Sequence, residues 1–262
     1  MVLNFAEALE RLLPVVDDVY SRWSKDRDQL QAAHEAHPES PRISCKKGCG
    51  ACCHFPIIPA TAGEAFVLLA RLLAEGQSVT DLHARFMPYA RRYLERAVRE
   101  NSLPMTDEQQ RLFLREKLPC PMFVSTPETG ALGGHCGIFH IRPQICDFFH
   151  SLDHPDLCLH KKPHGSFADI TQRGHESLDE LRDAERSVFG RSTLGHLPLL
   201  VAALLTDAGL KLFLTVVEPD SAVENAQDIE DFSLYVGLLE CLGYGWGDGD
   251  WASLAKAQAE VI

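Results

Sequence analysis

The chain has 262 residues, 45% of them hydrophobic and 24% charged, and a formal net charge of −12. This is an ordinary balance for a globular protein long enough to bury a real core, and it excludes large-scale disorder. The acidic balance argues against nucleic acid and anionic lipid as partners, because the basic residues are scattered and runs such as Lys46, Lys47 and Lys161, Lys162 are too short to override it.

Residues 1–13 contain Glu7, Glu10 and Arg11, so they lack the basic start and clean apolar run of a secretory leader. Residues 3–33 predict an amphipathic helix, with Leu9, Leu12, Leu13, Val16 and Tyr20 at helical spacing and Pro14 as a kink. Residues 34–44 are polar, hold Pro38 and Pro41, and read as a loop leading into a run of cysteines. Thr61 and Glu64 have the spacing of a capping box, the apolar run behind them reaches Leu73, and Gly76 stops it. A second helix is expected over about residues 80–100. Thr106 and Gln109 form another capping box, opening a short helix that ends near Lys117.

Helical periodicity disappears over residues 118–165, where Pro, Gly, His and Cys dominate and irregular backbone is expected. Ser177 and Glu180 read as a third capping box, with Gly190 at the far end of its helix. Residues 197–208 predict a buried helix. The segment 210–217 (LKLFLTVV) has strand-like composition, 228–242 reads as a helix, and 243–250 (GYGWGDGD) as an irregular tail. The longest apolar stretch, residues 197–205, is too short to span a bilayer, so a cytoplasmic protein is expected. The expected fold is mainly α: one domain over residues 1–262, with one or two short strands. Within it, residues 42–165 form a cysteine-rich metal-binding core with a helical insertion, and residues 166–262 a C-terminal helical extension.

Nine cysteines are present, and eight of them lie from Cys45 to Cys158. In a reducing compartment such clustering points to metal rather than disulfides, and the odd total agrees. The first group is Cys45, Cys49, Cys52 and Cys53, with Gly48 and Gly50 giving the backbone freedom around Cys49. Thiolates are the soft ligands that zinc, iron and iron–sulfur clusters select. As sequence neighbours, Cys52 and Cys53 are expected to point apart. The second group is Cys120-Pro-Met-Phe, and the third runs from Cys136 to Cys146 through Arg142 and Pro143. A net-anionic thiolate cluster needs nearby positive charge or N–H donors, so Arg142 is expected to neutralise thiolate charge or to cap a carbonyl, while Pro143 stiffens the turn. Cys158 follows among His150, His154, His160 and His164, of which the first two share a spacing of four. His54, directly after Cys53, is the better histidine candidate. Cys241, among leucines, reads as a buried core thiol.

The order C-x3-C-x2-C-C, then C-P with two apolar residues, then C-x-I-F-x-x-R-P-x-x-C resembles the YkgJ-like family of zinc- or iron-chelating proteins. The resemblance covers about residues 42–150. Cys45, Cys49, Cys52, Cys53, Cys120, Cys136 and Cys146 match the family's seven cysteines in order, Ile138, Phe139, Arg142 and Pro143 match its "IY..RP" segment, and Glu64 falls where such proteins often carry a glutamate. It implies a metal centre drawn from these seven cysteines. One tetrahedral zinc or one [4Fe–4S] cluster takes four ligands, so seven thiols exceed a simple staple and favour iron or an iron–sulfur cluster, with zinc as the alternative. The implied role is metal handling, or redox or modification chemistry. The alternatives are an iron–sulfur enzyme, methyltransferase-like, modifying a protein or peptide, and a structural zinc protein.

Cys45, Cys49 and Cys52 also have radical SAM spacing, but helices rather than a β/α barrel are expected after Cys53. No catalytic triad, phosphate loop or dinucleotide fingerprint is legible, so no general acid or base is named and an enzymatic role stays open. The expected partner is a protein or small molecule, not nucleic acid or membrane.

Overall fold

The computed structural model describes residues 1–44, 49–55, 58–99, 119–126, 134–148, 150–152 and 168–216. Among these, seven α-helices and four three-residue strands bear out the mainly α expectation. The expected helices at 106–117 and 228–242, the glycine-rich tail and Cys241 lie outside the described residues.

Helix α1 spans Phe5–Glu35. It starts where the Asn4 side chain accepts from the Glu7 N–H while Glu7 bonds back to the Asn4 N–H, a capping box. It continues through Pro14 and buries Ala8, Leu12, Val16, Val19 and Trp23, a stripe with steps of three and four. Strand β1 (Pro59–Thr61) leads directly into α2 (Ala62–Ala74), opened by the expected Thr61–Glu64 box. α2 buries most of its circumference, from Ala62 to Leu69 and again at Leu72. Helix α3 (Val79–Arg99) follows Gly76, whose φ of 88° is one only glycine adopts freely. Strands β2 (Phe123–Ser125) and β3 (Gly134–Cys136) pair antiparallel. Short helix α4 (Gln144–Phe148) follows, then α5 (Ala168–Phe189), β4 (Leu194–His196), α6 (Leu197–Leu204) and α7 (Asp207–Phe213).

α6 is buried along its whole length and packs against α2, α3 and α7. α5 lies along α1, β4 pairs with β1, and Val2 bridges Thr215. One apolar core thus draws on residues from Leu3 to Leu214. No helix among the described residues is long and apolar enough to cross a membrane.

Three expectations need correction. Ser177 and Glu180 do not start a helix; they lie in the middle of α5, which begins at Ala168. The box spacing there is coincidental: Ser177 is fully buried, and its hydroxyl has no hydrogen-bond partner among the described residues. The end at Gly190 holds, with φ 75°. The single helix expected over 197–208 is two, because Thr206 ends α6 and caps α7 by accepting from the Gly209 N–H. Residues 210–213 of the strand expected at 210–217 are therefore helical, since that cap commits the chain before the β-branched residues begin, and among the described residues only Thr215 pairs as a bridge, with Val2.

A buried histidine joins the two halves of the core. His196 on β4 is 1% exposed. Its Nδ1 accepts from the Ile58 N–H at 2.9 Å, its Nε2 meets the Tyr89 hydroxyl at 2.8 Å, and its ring lies 4.8 Å from that of Tyr93. With Nδ1 accepting, the neutral tautomer carries its proton on Nε2. Burial pushes its pKa down to about 3. The unfolded chain therefore binds a proton below about 6.5 that the folded chain refuses until about 3. Stability is expected to fall as pH drops through that window, by roughly 1.4 kcal/mol per unit from this residue. Urea unfolding at stepped pH checks it: His196→Gln should lose that part of the slope.

Candidate metal centre

The site is built from three separate stretches of chain. The first is a tight turn, Ala51–His54, carrying Cys52, Cys53 and His54. It is closed by bonds from the Cys53 N–H to the Gly50 carbonyl and from the Phe55 N–H to the Cys52 carbonyl. The backbone freedom expected of Gly50 is not what it supplies, since its φ of −106° is an ordinary one. It is needed for close approach: a Cβ there would lie 2.6 Å from the Phe123 ring and 2.8 Å from the Gly134 carbonyl oxygen.

The second stretch is Cys120 with the β2–β3 hairpin. The Cys120 N–H donates to the Cys53 carbonyl at 2.6 Å, Phe123 N–H to the Cys120 carbonyl, and Gly137 N–H to the Met122 carbonyl. Cys136 stands opposite Phe123 in the hairpin register. This hairpin is regular structure in a region expected to have none. The third stretch is α4, which carries Cys146; the Cys146 N–H donates to the Pro143 carbonyl, so the proline sits at the base of this turn.

The thiols meet. The Cys53 thiol lies within hydrogen-bond reach of both Cys52 and Cys136, and sharing its single proton with them raises its own pKa strongly and lowers theirs. The expectation that Cys52 and Cys53 point apart is corrected by this contact. Cys136 is brought down to about 7, first by the Cys53 bond, against desolvation, and further by the Arg142 and His140 charges. Cys120 is pushed up to about 12, chiefly by burial, and Cys146 is also pushed well up by burial and by the charges of Cys52, Cys120 and Cys136. Arg142 favours the thiolate at Cys52, Cys136 and Cys146, in keeping with its expected neutralising role.

Glu64 ties the first helix after the turn to the third stretch. One carboxylate oxygen accepts from the Tyr20 hydroxyl at 2.7 Å and from the Gln144 N–H, the first residue of α4, at 3.0 Å; the other accepts from Thr61 N–H. Asp147, next to Cys146, accepts from the Trp23 indole at 2.7 Å and pairs with both Arg27 and Arg142. Arg142 also lies over the Phe139 ring, 4.0 Å from its centroid. Burial pushes the Asp147 carboxyl up, but the two guanidiniums and the indole outweigh it and hold the group below the usual range. Trp23, Arg27 and Asp147 carried no motif signal. Asp147 was the findable one, since it follows a candidate ligand and lies five residues from Arg142.

Of the seven expected ligands, Cys52, Cys53, Cys120, Cys136 and Cys146 thus act on one another. Cys49 is partly buried one residue before Gly50. Cys45 lies outside the described residues, as do Cys158, His154, His160 and His164. The residue before Cys45, Ser44, is bonded through both N–H and hydroxyl to the Ser151 carbonyl, which follows Cys146 by five residues. His150 is buried. None of the six described cysteines is in a disulfide.

Among the described residues, no three Cys, His, Asp or Glu side chains are drawn together as a closed shell for one ion. The chemistry of the donor set nevertheless suits a thiophilic metal. Burial and mutual repulsion oppose ionisation at Cys53, Cys120 and Cys146, an obstacle that a bound cation removes. His54 adds a buried ring nitrogen, Nε2, with no hydrogen-bond partner among the described residues, its ring edge-on to Phe123 at 4.8 Å. The cysteine thiols together with that nitrogen are the groups that would hold the metal.

No family model, no curated protein and no solved structure matches the chain. The resemblance to YkgJ-like proteins therefore rests on the seven cysteines, the segment Ile138, Phe139, Arg142 and Pro143, and Glu64.

Proposed function

We propose that the chain is a cytoplasmic metalloprotein holding a cysteine-ligated iron or iron–sulfur centre, with zinc as the alternative occupant. Its role on this reading is metal handling, or redox or modification chemistry on a protein or small-molecule partner. The observation that carries it is the closeness of Cys53 to both Cys52 and Cys136, with Cys120 and Cys146 in the same electrostatic field and Arg142 acting on three of the thiols. Five thiols and one guanidinium drawn from three distant stretches have no packing purpose that smaller apolar residues would not serve better. Left without metal, they are also exposed to oxidation. Five thiols exceed the four that one structural zinc or one [4Fe–4S] cluster takes, so they go beyond a simple staple, and together with the family resemblance this surplus favours iron. The −12 net charge weighs against nucleic acid.

Anaerobic purification followed by metal and sulfide analysis tests this. A coloured protein with iron and acid-labile sulfide is the expected result. Colourless protein with stoichiometric zinc would reject iron, and protein free of both metals would reject the centre.

A further inference from the structure

A cavity of about 330 Å³ opens between α1, the end of α2 and the segment leading into α4, sharing Arg142 with the surroundings of the thiols. That size suits a small molecule. Three guanidiniums line it, those of Arg27, Arg71 and Arg142, against the single carboxylate of Asp147. Their donors are not used equally. Arg27 spends Nε and Nη2 on the exposed Asp28 and Nη1 on Asp147. Arg142 bonds Asp147 through Nη2 alone. Arg71 bonds Asp17 through Nη2 alone and lies over the Tyr20 ring at 5.6 Å. Nε and Nη1 of both Arg71 and Arg142 therefore have no acceptor among the described residues. Neither side chain is a loose surface arginine, with relative exposures of 24% and 18%. The remaining walls include the Tyr20, Trp23 and Phe139 rings.

With Nη2 engaged, the Nε–H and Nη1–H of a guanidinium point to different sides, so each arginine offers single charge-assisted donors, and the two together can take the two oxygens of one carboxylate. Aromatic walls beside them favour a ligand with an apolar body over a bare inorganic anion. We propose that this cavity binds a small organic carboxylate, its carboxyl group taken by the spare donors of Arg71 and Arg142 and its apolar part covered by the aromatic walls. The binding does not rest on the metal reading. What rests on it is the consequence that the ligand lies beside the metal centre, because Arg142 serves both.

Isothermal titration calorimetry of the full chain with sodium benzoate, sodium acetate and inorganic phosphate, at fixed ionic strength, tests the site. Benzoate is expected to saturate one site, at least about tenfold tighter than acetate or phosphate. Arg71→Gln is expected to weaken benzoate at least about tenfold. Ser24→Phe, which fills the cavity from α1 without changing charge, is expected to abolish binding. Thermal midpoints establish that each variant folds. No saturable benzoate binding, binding undiminished in both variants, or phosphate binding as tightly as benzoate would each overturn the proposal. Calorimetry reads the cavity and metal analysis reads the thiols, so the two readings fail separately.

Discussion

Cys53→Ala is expected to lower metal affinity by more than about 100-fold while leaving the fold intact. A group that merely orients a ligand is typically worth 10–100-fold, and a direct ligand is worth more. Cys53 stands between two other thiols, within hydrogen-bond reach of Cys52 on its own turn and of Cys136 on the hairpin. Its backbone carbonyl separately accepts the Cys120 N–H, a bond that alanine keeps. The side chain is 5% exposed and packs in the main core, so alanine removes one sulfur without burying a new polar group. Metal content after purification, read with the thermal midpoint, checks this. Full metal occupancy in a folded Cys53→Ala protein would remove Cys53 from the ligand set.

The second large effect is at Asp147. Its carboxylate joins α1 to α4 by accepting from Trp23 and pairing with Arg27 and Arg142. Trp23 and Asp147 are both buried, and the guanidiniums keep only about a fifth of their surface. Asp147→Ala leaves two largely enclosed positive charges and one indole N–H without their acceptor. The expected loss is roughly 2–4 kcal/mol, somewhat below a fully buried orphaned charge because some solvent reaches the arginines. Asp147→Asn keeps an acceptor for the indole and loses the charge, so it should lose less. The same junction gives an acid dependence. Since Asp147 is held below its ordinary 3.8, its contribution is complete above that value and fades as pH falls through the lower folded value. Urea unfolding of the three proteins at neutral pH and near pH 3 checks both points. Equal stability of Asp147→Ala and the parent at neutral pH would rule the junction out.

The parts of the fold legible in the sequence were those written locally. The Thr61–Glu64 box, the stop at Gly76, the apolar stripe of α1 and the end at Gly190 each depend on residues within a turn or two. The cysteine stretches were legible because thiols are few and their spacing is distinctive. Long-range partnership was not. Nothing near Glu64 announces that its second task is to receive Tyr20 and Gln144, and nothing near Trp23 announces Asp147, 124 residues away. The errors have a matching cause. Ser177 and Glu180 carry the pattern of a helix start, but a pattern of two residues cannot tell a start from the middle of a helix whose apolar face continues on both sides. Residues 210–217 have β-branched composition, and one hydroxyl, Thr206, outweighed it by capping α7 first.

X-ray absorption at the metal K-edge of the protein as isolated tests the thiolate centre most directly. Sulfur scatterers at about 2.3 Å, as thiolate coordination requires, are expected, and their number should fall in Cys53→Ala. A first shell of nitrogen and oxygen alone, or no metal to absorb, would contradict the account.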